Sequence, residues 1–342
     1  MTSRTYTLEE VDRQIRALPS DLPTLAPAAR AGAAGAARTL GDARHLTLLG
    51  SGDSLYAAQA ALPVFVAGGV GAQAMSATEF LRRATRARPD ELTAVVGISA
   101  SGGNPSVLAA VAAARRSGRP TVAVTGTPAG ALASACDAAV VVDPGPSAPA
   151  PGIRTYQASL LALLHLAHAV AGTDGPAELD AVAEAQRRST ALARAAAPAV
   201  ARLLAPTPVV HVVAEASVLP TARFLGAKLS ETAGVPALVA ELEDWWHVHR
   251  FGHQARHSVL FLIPPGPDRD AALECARRTA ARRPLVVVAD AADGEALALG
   301  AATVPLTGAV PEALRPLADS VVAGPVAMAL ARELGRLPFA YQ

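Results

Sequence analysis

The chain has 342 residues, 51% of them hydrophobic and 17% charged, with a mean hydropathy of +0.30. A sequence this apolar can bury a large core, which excludes a disordered polypeptide, and its length suits two domains of ordinary size. The formal net charge is +1, without a long block of either sign, so the basic stripe of a nucleic-acid binder is missing.

Cys136 and Cys275 are too far apart for a CxxC metal pair and too few for a disulfide framework. The opening MTSRTYTLEE lacks the apolar core of a signal peptide. The longest apolar stretch, residues 158–172, contains His165 and His168 and is too short to span a bilayer. A cytoplasmic protein with neither a membrane nor a nucleic-acid partner is expected.

Residues 7–40 read as two helices, one built on Val11, Ile15 and Leu18 at spacings of four and three, the other on the Ala-rich AARAGAAGAARTL. From His45 short β-rich runs alternate with helical stretches. The strands are HLTLLG (45–50), GVGAQAM (69–75), LTAVVGIS (92–99), PTVAVTG (120–126) and AAVVVD (138–143). Such alternation predicts a doubly wound parallel α/β sheet. The Pro-rich DPGPSAPAPG (143–152) breaks the series, and a helical block runs from Tyr156 to about 204.

A second α/β run follows, with strands PVVHVVAE (208–215), PALVAELE (236–243), HSVLFLIP (257–264) and PLVVVAD (284–290). The first strands of the two runs end near Gly50 and Ala214, an offset of 164 residues, which predicts two copies of one unit. The expected division is a helical arm (1–42), a first α/β domain (43–170), a helical linker (171–204) and a second α/β domain (205–342).

The chemistry concentrates in two turns of the first unit. Gly50-Ser51-Gly52-Asp53-Ser54 follows the first strand, and Ser99-Ala100-Ser101-Gly102-Gly103-Asn104 follows the third; each opens a helix. Open α/β sheets bind ligands at the carboxyl ends of their strands. Small residues let the backbone approach, helix N-termini offer unpaired N–H groups, and hydroxyls add donors, so a phosphate monoester suits both turns. Gly and Ser also make tight βα turns with no ligand at all. A Walker A loop is excluded because no GK[ST] is present.

This combination resembles the SIS (sugar isomerase) domain family. GSGDS at 50–54 is similar to its G-x-G-[TS]-S turn, SASGGN at 99–104 to its S-x-S-G-x-T phosphate loop, ATEFLRRA at 77–84 to its S-E-F segment and IRTYQASLLAL at 153–163 to its T-K-x-F-x-x-Q-L-L helix start. The resemblance implies two flavodoxin-like SIS units, a phosphosugar ligand and a homodimer whose site is completed by partner residues. It implies no metal or organic cofactor. Gly52, Ser54, Ser99, Ser101, Gly102 and Asn104 would hold the phosphate, with Arg154 as a further anion contact. The matching loop of the second unit, IPPGPD (263–268), has no Ser-x-Ser-Gly, so one phosphate site per chain is expected.

The resemblance to the isomerase module of glucosamine-6-phosphate synthase and its deaminase and deglycase relatives continues into the second unit. Their K-L-x-E helix carries a Glu base, with a His sixteen residues later that helps to open the sugar ring. Lys228-Leu229-Ser230-Glu231 fits, and sixteen residues on stands His247, within WWHVH. Proton transfer between neighbouring sugar carbons needs a carboxylate at the carbon acid and a second group for oxygen protons. Trp246 would wall the sugar or an aglycone, as aromatic faces do. His249, His253 and His257 recur every four residues and could stack as metal ligands, but no HExxH-like spacing accompanies them.

Three positions depart from the pattern. Val248 replaces the Gly of the deaminase-like E-F-F-H-G-P segment, Arg154 stands where T-K-x-F has Lys, and the end GRLPFAYQ lacks the lysine of the synthase isomerase. The missing lysine, with no N-terminal Cys nucleophile or glutaminase domain to supply ammonia, makes C–N cleavage of an amino-sugar phosphate or an Amadori phosphate the expected activity. An aldose–ketose isomerase and a non-catalytic sugar-phosphate sensor are the alternatives.

Overall fold

A computed structural model describes residues 5–43, 45–84, 93–252 and 256–340. It opens with α1 (Leu8–Leu40), whose first turn is capped by the Thr7 hydroxyl accepting from the Glu10 N–H at 3.1 Å. This is one helix rather than the expected two, although Pro19, Pro23 and Pro27 each withdraw an N–H from it. Packing overrides that cost: Leu18, Leu22, Leu25 and Ala29 continue one buried stripe through the proline segment.

The first sheet follows as β1 (His45–Gly50), α2 (Asp53–Ala67), β2 (Gly71–Ser76), α3 (Ala77–Ala84), β3 (Thr93–Ile98), α4 (Pro105–Arg116), β4 (Thr121–Thr125), α5 (Ala131–Ala135) and β5 (Ala138–Val141). Its strands are parallel in the order β2-β1-β3-β4-β5. α6 (Arg154–Val170) and α7 (Leu179–Leu204) then lead to the second sheet. β3 and β4 are near-continuous apolar runs, as strands covered on both faces must be.

The second sheet is built from β6 (Val210–Ala214), α8 (Leu219–Ala233), β7 (Ala237–Glu241), α9 (Leu242–Asp244), a π-helical turn at Trp245–His249, α10 (Arg250–Gly252), β8 (Ser258–Ile263), α11 (Arg269–Ala280), β9 (Leu285–Asp290), α12 (Gly294–Leu297) and β10 (Ala302–Leu306). Its order, β10-β9-β8-β6-β7, is that of the first sheet read from the other edge, so the unit is duplicated. The fifth strand escapes a sequence reading because Pro305 interrupts it; the structure tolerates a proline there because β10 is an edge strand.

α13 (Arg315–Asp319) and α14 (Ala323–Glu333) close the fold. The run Glu312–Glu333 is long and apolar enough to cross a membrane, yet 89% of its most apolar window is buried inside the protein. A buried amide chain ties the helices together: Gln186 donates to Gln157 at 2.6 Å and to the Leu317 carbonyl at 2.8 Å, and Gln157 donates to the Leu18 carbonyl at 2.7 Å. α8 of the second unit packs on α2 of the first, which sets the position of the site.

Candidate active site

β1 and β3 are neighbours in a 2-1-3-4-5 sheet, and the winding direction reverses between them, which is where such sheets hold ligands. Leu49 aligns with Gly97 in their register, so the turns beginning at Gly50 and Ser99 leave the sheet side by side. The expected phosphate residues are thus brought to one crevice.

Gly52 caps α2 with φ +53° and lets Asp53 start the helix; Ser54 lies half-buried in the first turn. In the second turn Ser99 is buried and Ser101 exposed, with the Ser101 hydroxyl accepting from the Gly103 N–H at 3.4 Å. Gly102 has φ +66°, and a Cβ there would lie 3.1 Å from the Thr125 hydroxyl, so the loop needs glycine on both counts. Thr125 and Thr127 donate to the carbonyls of Ala100 and Ser101 at 3.4 and 3.3 Å and brace the loop from below.

Asn104 has a more specific job than the sequence implies. Its Oδ1 accepts from the N–H groups of Ser106 and Val107, at 3.0 and 3.2 Å, and caps α4. Only its side-chain NH2 is left to meet an anion.

Glu231 sits in the last turn of α8, and Lys228, one turn earlier, is fully buried. The ammonium donates to Asp53 Oδ2 at 2.7 Å and also to Glu231. Burial pushes the Glu231 carboxyl above its ordinary value and the Asp53 charge adds to this, while Lys228 pulls it down. Burial pulls Lys228 down, but Asp53 and Glu231 together outweigh it and hold the ammonium charged. Beneath the cluster, Tyr156 and Phe224 stack at 3.9 Å with their planes 14° apart, and Lys228 Nζ lies 5.1 Å from the Phe224 ring. The arrangement puts a partly screened carboxylate of raised proton affinity beside an anion-compatible loop.

Sequence reasoning passed over Asp53 and the buried lysine as members of this cluster. Two signals were visible: Asp53 fills the Ser/Thr place of the turn pattern, and Lys228 is the only lysine in the chain.

Other expected residues fall elsewhere. Arg154 meets Asp21 of α1 through two 2.6 Å bonds, both side chains largely buried, so its guanidinium anchors α1 instead of facing the crevice. His247 is not brought to Glu231 within the chain. It follows β7 in the turn whose Trp245 packs with α11 in one core cluster of the second unit, whereas α8 packs in the other; it is 69% exposed and pairs with Glu243 at 3.1 Å. Trp246 packs against Arg250 and Arg278, at 3.9 and 5.1 Å from its ring centroid, and not against Glu231's cluster. Of the three spaced histidines, His253 lies outside the described residues, and His257 Nδ1 meets His211 Nε2 at 3.1 Å. Among the described residues no group of three His, Cys, Asp or Glu could hold a metal.

Residues 39–169, which contain both turns, match the SIS domain family. The chain carries a SIS domain. The second unit repeats its strand order, giving a tandem of SIS-like sheets.

The N-acetylmuramic acid 6-phosphate etherase of Symbiobacterium thermophilum is 51% identical over 63 residues, 18% of this chain and 20% of that relative. Three solved structures are similar over nearly the whole chain. The C-terminal domain of glucosamine-fructose-6-phosphate aminotransferase from Francisella tularensis has a TM-score of 0.84 at 15% identity, covering 96% of this chain and 97% of that one. The tagatose-6-phosphate ketose/aldose isomerase of Escherichia coli has 0.79 at 16%, covering 97% and 94%. The glucosamine-6-phosphate deaminase of Thermotoga maritima has 0.76 at 15%, covering 98% and 96%. At these identities the likeness is one of fold.

Proposed function

We propose that the chain is an enzyme acting on a phosphorylated sugar by proton transfer α to a carbonyl or imine, with Glu231 as base. The observation that carries this reading is the delivery of Glu231, through Lys228 and Asp53, to the turn after β1, beside the Ser99–Asn104 loop at the switch point of the first sheet. Ser54, Ser99, Ser101, Gly52 and Gly102 receive the phosphate, with the amide of Asn104 at the rim.

Within that class the reaction is C–N cleavage of an amino-sugar phosphate or a fructosamine phosphate. A raised carboxylate suits abstraction of a carbon-bound proton near neutrality. The resulting enaminol takes a proton at the neighbouring carbon to become an imine, which water hydrolyses to the sugar-phosphate carbonyl with release of ammonia or the amine. Glucosamine-6-phosphate deaminase of Thermotoga maritima, similar in fold, is named for chemistry of this kind. His247, exposed and flanked by the exposed Val248 and Phe251, reaches a Glu231 site only from a second copy, so the working form is a homodimer with shared sites.

The test is an NMR-monitored incubation with glucosamine 6-phosphate, fructosamine 6-phosphate and fructose 6-phosphate. Release of ammonia or amine with formation of a sugar phosphate is expected. Aldose–ketose interconversion alone would replace cleavage by isomerisation, and binding of all three without turnover would overturn the enzymatic reading.

A further inference from the structure

We propose that Asp53 is a positioning residue for the base: its carboxylate holds Lys228 in a shared pair, so that Glu231 is never locked into a closed one. The inference rests on the reading of Glu231 given above and deepens it.

Three observations fix Asp53 in this role. Its Oδ2 lies 2.7 Å from Lys228 Nζ, which also donates to Glu231, so two carboxylates divide one ammonium. Its backbone is set at the first position of α2, and the chain closes over the side chain: a Cβ on Gly152 would fall 2.8 Å from Oδ2. Its Oδ1 is buried and, among the described residues, has no hydrogen-bond partner, so the carboxylate is held by the lysine and not by competing donors.

The turn pattern this segment resembles has Ser or Thr here, a neutral hydroxyl that cannot compete for an ammonium. With Asp the cluster carries one net negative charge, and an acid beside a second carboxylate keeps its proton to higher pH than one alone with a lysine.

Among the described residues, Asp53 and Tyr56 of α2 and Lys228 of α8 act on Glu231, Tyr156 of α6 acts on Asp53, and Arg223 of α8, which acts on Tyr56, is bonded to Gln59 at 2.6 Å. Arg336 also reaches the end of α8, where its Nη1 donates to the carbonyls of Ala233 and Gly234, at 3.0 and 3.1 Å.

Because Lys228 is the only lysine, lysine-selective 15N and 13C labelling yields a single side-chain signal that needs no assignment. We expect that signal to shift as Glu231 titrates in the wild type and to lose this step in Glu231→Gln. In Asp53→Asn the step moves to lower pH by about one pH unit; Asp53→Ser reports the same if the amide disturbs the helix start, and Asp53→Glu returns the step toward wild type. A step at the same pH in the folded Asp53→Asn or Asp53→Ser protein overturns the role of Asp53. A step that survives Glu231→Gln shows that Glu231 is not the group sensed, which overturns this proposal on separate grounds. Turnover is not needed for either result, so failure of the sugar-phosphate reading would be seen separately, in the NMR incubation.

Discussion

Lys228 donates to Asp53 at 2.7 Å across the seam between the two α/β units. Asp53 belongs to the turn after the first strand, and Lys228 to the helix after the first strand of the second sheet. The contact therefore does two things at once. It ties α8 to α2, and it links Glu231, one turn beyond the lysine, to the turn after β1, which neighbours the loop proposed to hold phosphate. A buried ammonium between two carboxylates costs solvation, which its two charge-assisted hydrogen bonds offset.

Replacing Glu231 by Gln removes the proposed base but keeps the shape. Turnover on a cognate phosphosugar should fall about 10²- to 10⁴-fold, while the ligand still raises the unfolding temperature. Steady-state kinetics beside a melting curve separates the two effects. Full activity in Glu231→Gln would remove the carboxylate from the mechanism.

The distance of His247 from Glu231 within one chain leads to a mixing experiment. His247→Ala and Glu231→Gln should each be inactive alone, and a mixture re-equilibrated through subunit exchange should regain about a quarter of wild-type activity per subunit, from mixed dimers with one intact site. Recovery near zero, in a mixture proven to contain heterodimers, would place His247 outside the shared site.

Asp21→Asn tests what Arg154 does. Breaking this largely buried pair should cost about 3 kcal/mol in urea unfolding and leave phosphosugar binding of the folded protein unchanged. Lost binding with no loss of stability would return Arg154 to the role of an anion contact.

His165 is buried, and burial holds its imidazole down at about 4, below the ordinary histidine value. The unfolded chain then binds a proton that the folded one refuses. Stability from this residue is complete above the unfolded value and is lost as pH falls from about 6.5 toward 4, by about 2 kcal/mol at pH 5. His165→Gln should flatten that acid limb relative to wild type in denaturation measured from pH 8 to pH 4.5. An unchanged difference between wild type and variant across this range would contradict the buried neutral histidine.

Much of this architecture could be read from residue order, because apolar runs such as HLTLLG and LTAVVGIS announce buried parallel strands and each is followed by Gly and Ser where the chain must turn. The Ser99–Asn104 loop was legible for the same reason. Partnerships set by tertiary packing were not. Asp53 at a helix start looks like an ordinary dipole-complementing acid, and only the packing of α8 on α2 turns it into a partner of Lys228. Arg154, in a motif position, looks like an anion contact until Asp21 arrives from a helix 133 residues away. The prolines of α1 argue locally for a break that a buried stripe outweighs, and Pro305 hides an edge strand.

The most direct test of the central claim is a thermal-shift comparison of sugar 6-phosphates, amino-sugar phosphates and fructosamine phosphates with their unphosphorylated counterparts, in wild type and Ser101→Ala. A ligand that binds the folded state must raise its apparent stability. Stabilisation by one of the phosphorylated compounds, absent with its unphosphorylated counterpart and lost in Ser101→Ala, is the predicted result. No shift with any phosphosugar, or an equal shift in the Ser101→Ala protein, would mean that the Ser99–Asn104 loop is only a turn, and would contradict the account.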